Sequence, residues 1–165
     1  MELQLRRWQD GDEPALSAIM NGMDRRFLSD RLPDPYTEQD AAWWLHRLQQ
    51  QEQNLYRAIT VDGKPVGMIS VEQQEDVYRR DAEISYCLRR DWQGQGIMTE
   101  AVAQICDLAF HQMDLVRITG RVFAENLASR QVLETNGFVL EGTLRRAVWK
   151  NKALQDLCLY GRLKD

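Results

Sequence analysis

The run Asp91-Trp92-Gln93-Gly94-Gln95-Gly96-Ile97-Met98-Thr99-Glu100-Ala101 constrains this chain more than any other stretch. It follows a strand-like segment at 82–88 and leads straight into a helical pattern at 99–113. A strand that ends in a glycine-rich turn and becomes a helix points free backbone N–H groups outward. Together with the positive end of the helix dipole they form an anion site, most often for phosphate. A side chain at Gly94 or Gly96 would keep a phosphate oxygen away from the backbone. A dinucleotide site would require Gly-x-Gly-x-x-Gly near the start of the fold. Here Thr99 stands at the third glycine position, the turn lies mid-chain, and only one β-α-β unit is visible. A plain tight turn is the competing reading, and the turn alone does not decide between them.

A length of 165 residues suits one domain, 1–165, with one core. No apolar run approaches a membrane span. The start, Met1-Glu2-Leu3-Gln4-Leu5-Arg6-Arg7, passes directly into an alternating strand pattern, unlike a signal peptide. Cys87, Cys106 and Cys158 are odd in number, far apart and set in apolar segments. Buried thiols in a reducing compartment explain them, which points to the cytoplasm. The net charge is −4 and no Lys/Arg run exceeds two residues, so no nucleic-acid footprint is expected. The acidic balance leaves room for a cationic or amine-bearing partner. His46 and His111 have no partner at ligand spacing, so no metal is expected.

Leu3 and Leu5 mark a first strand. Asp10 or Asp12 can cap the helix that follows, with Pro14 in its first turn and Leu16, Ile19, Met20 and Met23 on one face. The loop 31–36 holds two prolines. Thr37-Glu38-Gln39-Asp40 resembles a capping box that opens a second helix through about Gln51. Strands follow at 55–61 and 66–71, joined by the hairpin signal Asp62-Gly63. After the glycine turn and its helix come a strand at 116–123, a short helix at 126–135 closed by Asn136-Gly137, and two last strands at 138–140 and 156–163. The pattern is an α/β (mixed α+β) domain: an antiparallel first half joined to one β-turn-α-β unit.

At this point the chain resembles the GNAT superfamily of N-acetyltransferases. The family pattern Gln/Arg-x-x-Gly-x-Gly/Ala is approached by Gln93-Gly94-Gln95-Gly96-Ile97-Met98, with Met98 in place of the last small residue. A second signature, Asn126-Leu127-Ala128-Ser129 to Asn136-Gly137-Phe138, is similar to the branch containing the ribosomal-protein N-terminal acetyltransferases. Glu141-Gly142 and Asp156 to Tyr160 also look like that branch. The resemblance implies a central, mostly antiparallel sheet flanked by helices, with acetyl-CoA in the opening between two splayed parallel strands. Backbone groups of Ser85, Tyr86, Cys87 and Leu88 would pair with the pantetheine arm. The turn from Gln93 and Gly94 through Gln95, Gly96, Ile97, Met98 and Thr99 would hold the pyrophosphate on its N–H groups. Asn126 would bond the pantetheine arm, besides capping its own helix.

The implied chemistry is attack of a neutral amine on a thioester, which needs a proton acceptor, an oxyanion donor and a proton for the leaving thiolate. Glu83 is the candidate base; a strand-edge carboxylate paired with Arg79 or Arg80 is the alternative. Many family members carry a Tyr acid seven residues after the Asn. Leu133 stands there, and Ser129 is the candidate acid in its place, with a first-turn capping hydroxyl as the alternative. One of Trp43 and Trp44 faces the core; the other lines the acceptor site or a dimer contact. Arg89, Arg90 and Arg130 are either adenosine-phosphate contacts or surface charges. The branch favours a protein or peptide N-terminal α-amine as acceptor. A small amine and a non-catalytic CoA-binding module are the alternatives.

Overall fold

The computed structural model describes residues 1–165. In chain order the elements are β1 (Leu3–Arg7), α1 (Glu13–Asn21), α2 (Glu38–Leu48), β2 (Leu55–Val61), β3 (Lys64–Gln73), β4 (Asp81–Leu88), α3 (Ile97–Gln112), β5 (Arg117–Phe123), α4 (Leu127–Thr135), β6 (Val139–Lys150) and β7 (Ala153–Leu163). The seven strands form one sheet in the order β1-β2-β3-β4-β5-β7-β6. Only β4 and β5 run parallel; every other neighbouring pair is antiparallel. This is the mixed, mostly antiparallel sheet that the family resemblance implies.

Local chemistry explains most boundaries. Asp62 and Gly63 have φ of 49° and 82°, so the β2–β3 turn is left-handed at both central residues and matches the twist of its strands. Thr37 and Asp40 close the expected capping box of α2, each side chain accepting the other's backbone N–H. At the end of α4, Gly137 (φ 80°) donates to the Glu134 carbonyl and Phe138 to the Leu133 carbonyl, the paired bonds of a Schellman cap. Helix α3 begins at Ile97, two residues before its periodicity suggests, because left-handed Gly96 (φ 78°) turns the chain directly into it.

Two expectations need correction. Asp12 stands at the N-cap position of α1 without capping it. Its carboxylate instead accepts the Arg6 guanidinium at 2.8 and 2.9 Å and the Gln9 N–H at 2.8 Å. Asp10 contacts only the Gln49 side chain. The last two strands are far longer than expected, forming one hairpin through Asn151-Lys152 with φ of 52° and 60°. Strand β6 is almost wholly exposed, so it carries no apolar alternation, and lysine rather than glycine fills the second turn position.

The sheet is covered on both faces. The larger core joins α3 and α4 to the strands through residues such as Ile84, Ile105, Ile118 and Leu133. A smaller one joins α1, α2 and the loop between them through Leu16, Ile19, Tyr36 and Leu45. Trp44 sets its ring edge-on to Trp8 and Tyr56, both at 6.1 Å, while Trp43 is 64% exposed. Adjacent helical positions point in different directions, and only one of them reaches the core.

The feature that positions the site is the end of the β4–β5 ladder. It runs for four residue pairs and stops at Ile84 opposite Gly120. Beyond that point the two strands part. Leu133 of α4, fully buried, sits against Gly120 at the fork: a Cβ there would lie 2.8 Å from its Cδ1. Glycine at 120 is what lets this wedge seat.

Candidate active site

The fork leaves Ser85, Tyr86, Cys87 and Leu88 paired to β3 on one side and unpaired toward β5 on the other. Their free backbone groups face an opening, and an extended ligand can satisfy them as an added strand would. The glycine turn lies at the far end of the same strand. None of the N–H groups of Gln95, Gly96, Ile97, Met98 and Thr99 has an acceptor within the protein. A Cβ at Gly94 or Gly96 would meet no atom within 4 Å, so the backbone is open to approach there. Gln93 braces the turn by donating its side-chain amide to the Leu88 carbonyl at 3.2 Å. Met98 packs against the larger core.

These residues line a cavity of about 450 Å³, which Tyr86, Cys87, Leu88, Gln93, Gly94, Gly96, Ile97, Met98, Thr99, Asn126 and Ser129 share with the segment after α1. Of the expected cofactor residues, the Gln95 side chain does not reach this wall, and Ser85 lines the neighbouring cavity instead. Asn126 caps α4, its Oδ1 accepting the Ser129 N–H at 3.2 Å, which leaves its amide N–H groups for a ligand. The opposite wall, Met23, Asp24, Arg26, Phe27 and Leu28, was not expected. It carries no motif; Phe27 sets its ring edge-on to Phe123 of β5 across the opening.

A second cavity of about 720 Å³ lies on the α1–α2 side of the sheet. Both cavities are lined by Tyr86, Cys87 and Ser129, so they meet at the fork. There the Tyr86 hydroxyl lies 2.7 Å from Ser129 Oγ. Burial pushes the Tyr86 phenol up to about 12, so it stays protonated near neutral pH and either hydroxyl can be the donor of the pair. Sequence reasoning considered only the Tyr86 backbone, because nothing local shows which α4 residue its side chain meets. Burial likewise pushes the Cys87 thiol up to about 12, far from the thiolate that a covalent acyl intermediate would need.

Glu83 stands one residue before the fork and does not line either cavity. Its cross-strand neighbours are Glu72 and Thr119, and neither Arg79 nor Arg80 pairs with it. Burial raises its pKa, Glu72 and Asp81 add to the rise, and Arg121 opposes it. Asp40, Tyr36 and Trp43 line the α1–α2 cavity, and the Tyr36 phenol is pushed up to about 12 by burial, with Asp40 adding.

The acetyltransferase (GNAT) domain model matches residues 2–139. This chain belongs to the GNAT acetyltransferase family. A probable N-acetyltransferase of Bacillus subtilis is 38% identical over 111 residues, covering 67% of this chain and 61% of that protein. The ribosomal-protein-serine acetyltransferase of Escherichia coli is 36% identical over 100 residues, covering 61% and 55%. The chain thus spans less than two thirds of the length of these curated relatives. Among solved structures, Mycobacterium smegmatis RimJ in complex with CoA-disulfide superposes with a TM-score of 0.87 at 26% identity, covering 98% of this chain and 81% of that one.

The remaining arginines of this GNAT domain have places of their own. Arg130 ties α4 to β7, donating to the Tyr160 hydroxyl at 3.0 Å and to the Ala124 carbonyl at 3.1 Å. Arg89 pairs with Asp91 at 2.9 Å, and Arg90 is exposed.

The open turn makes one prediction. Gly96→Ala forces a left-handed alanine, which costs about 1 kcal/mol of stability, and puts a methyl where an anion must approach. Its affinity for CoA falls by on the order of tenfold or more, the worth of one charge-assisted hydrogen bond. Isothermal titration beside a thermal melt separates the two effects; an unchanged affinity would show that the turn holds no phosphate.

Proposed function

We propose that this chain is an acetyl-CoA-dependent N-acetyltransferase that moves the acetyl group directly to an acceptor amine, with both substrates bound together. The observation that carries this reading is the meeting of two cavities at Tyr86, Cys87 and Ser129. One approaches that point from the glycine turn, the other from the α1–α2 face. A donor and an acceptor entering from opposite sides meet there without a covalent relay.

In this reading acetyl-CoA supplies an activated thioester. The N–H groups of Gln95, Gly96, Ile97, Met98 and Thr99 hold the pyrophosphate, helped by the N-terminus of α3. The unpaired backbone of Ser85, Tyr86, Cys87 and Leu88 and the amide of Asn126 hold the pantetheine arm. An N–H on that free stretch of β4 donates to the thioester oxygen as it gains charge. Glu83 accepts the amine proton; because it does not line the cavity, the transfer passes through water. Ser129 gives a proton to the departing sulfur. Tyr86 donates to Ser129 Oγ and so leaves the serine's own proton free.

The acceptor we assign is a protein or peptide N-terminal α-amine, acetylated in the cytoplasm. The support is the likeness to a ribosomal-protein-serine acetyltransferase and to RimJ. An α-amine has a pKa near 8, well below that of Lys, and so needs only a modest base. No helix is long and apolar enough to cross a membrane. Trp43 belongs to the acceptor wall in this reading rather than to a dimer contact.

The deciding experiment incubates the protein with acetyl-CoA and a panel of N-terminal peptides, lysine-blocked peptides and small amines, read by mass spectrometry. Acetylation of peptide α-amines supports the assignment. Acetylation of small amines alone would move it to the small-molecule alternative, and CoA binding without any transfer would make the domain a binding module.

Two further outcomes follow. A base must be ionised to act, and the Glu83 pKa is raised, so kcat/KM falls with falling pH at a point above the ordinary carboxylate value. Glu83→Gln removes that limb and slows turnover on the order of 10²-fold, while the limb from the amine itself stays; an unaltered profile removes Glu83 from the mechanism. Ser129→Ala also lowers kcat on the order of 10²-fold. In a Tyr86→Phe background the same change costs much less, because the two hydroxyls act as one unit; additive losses would separate them.

A further inference from the structure

The α1–α2 cavity carries charges that the reaction above leaves idle. Its wall is largely apolar, with Leu16, Met20, Leu32, Trp43 and Trp44 among its residues. Three charged side chains join them: Asp40, Arg31 and Arg121. Asp40 is already engaged, since its Oδ2 accepts the Thr37 N–H and hydroxyl, both at 2.9 Å. The two arginines are not. Neither has a carboxylate within 4.0 Å.

The acids near Arg31 in the chain are paired elsewhere, and Glu83 makes no ion pair with Arg121. Asp30, beside Arg31 in the chain, pairs with Lys150 at 2.5 Å and so ties the loop to the β6–β7 hairpin. Asp34 faces Arg25. Glu83 feels the charge of Arg121 without an ion pair to it. Arg121 lies on β5 just past the last residue paired with β4. It therefore stands on the arm of the fork opposite Ser85 and Cys87. Both guanidiniums are solvent-exposed at the edge of this largely apolar cavity, and a guanidinium with no internal counter-ion there is free to hold a planar anion with two parallel bonds.

We infer that the acceptor carries a carboxylate close to its reacting amine, and that Arg121, with Arg31 at the rim, binds it. This rests on the peptide reading above, and within that reading the carboxylate is an Asp or Glu side chain in the first positions after the N-terminal residue. The protein's net charge of −4 suggests a cationic partner, but the charge inside the cavity has the opposite sign.

The test uses twin peptides that share an N-terminal residue. One twin has Asp or Glu at positions two and three; the other has Asn or Gln. Initial rates of acetyl transfer are measured at saturating acetyl-CoA for the wild-type protein, Arg121→Gln, Arg31→Gln and Arg79→Gln. Arg79 is exposed and outside the cavity. The wild-type protein prefers the acidic twin in kcat/KM by about tenfold or more, the factor that one charge-assisted hydrogen bond carries. Arg121→Gln brings that ratio close to one, Arg31→Gln lowers it in part, and Arg79→Gln preserves it. Raising the salt concentration shrinks the preference. Equal rates for the twins in the wild-type protein overturn the inference while leaving the peptide reading intact. So does an Arg121→Gln protein that slows both twins alike with the ratio preserved. Transfer to neither twin, with small amines accepted, overturns both readings. A free amino acid preferred over the acidic twin moves the carboxylate to the substrate backbone and overturns the peptide form.

Discussion

The site depends on a hydrogen-bond ladder that stops early. Strands β4 and β5 pair over four residues and then diverge, so the next four residues of β4 keep unpaired backbone groups in the middle of a sheet. Such groups are costly to bury unsatisfied and are normally covered. Here they border a cavity, and the structure around them keeps the gap open. Leu133 wedges against Gly120 at the crotch, the Schellman cap fixes the end of α4 behind it, and Tyr86 spans to Ser129 above it.

The position of Leu133 shows how one substitution redistributes a task. In the family resemblance this is where a tyrosine acid would stand. A leucine there serves packing, and a hydroxyl reaches the same neighbourhood from elsewhere: Tyr86 comes from β4 and meets the first turn of α4. Two hydroxyls in contact at the junction of the two cavities replace one in the proposed chemistry. The acceptor side is built from different material, with apolar helical residues from α1 and α2, a braced loop, and two arginines without internal partners.

Much of the cofactor side was legible in the sequence because it is local. Gly94 and Gly96 are left-handed, Asn126 caps its helix, and Gln93 folds back on the strand it follows, each through partners only a few residues away in the chain. The acceptor side was legible only in outline. Trp44 packs against the core and Trp43 stays exposed, as helical geometry requires, although both border the cavity. Nothing in the order of residues, however, indicates that Asp30 turns to Lys150, 120 positions away, and leaves Arg31 unpaired. The long β6–β7 hairpin was missed for a related reason. An exposed edge strand has no buried face, and so lacks the alternation by which strands are found.

The sequence by itself determined the strand-turn-helix with its open, left-handed glycine turn, the caps and hairpin turns, and the mixed α/β class. Each is set by backbone preferences and side chains that meet within one or two turns. Only the tertiary structure decided where the β4–β5 ladder ends, which hydroxyl meets Ser129, that Glu83 lies behind the cavity rather than on it, and which charged side chains line the α1–α2 cavity. Those outcomes arise from residues far apart in the chain, whose burial and partners are set by how the helices pack on the two faces of the sheet. Net charge sums over the whole surface and hides the sign of one cavity wall.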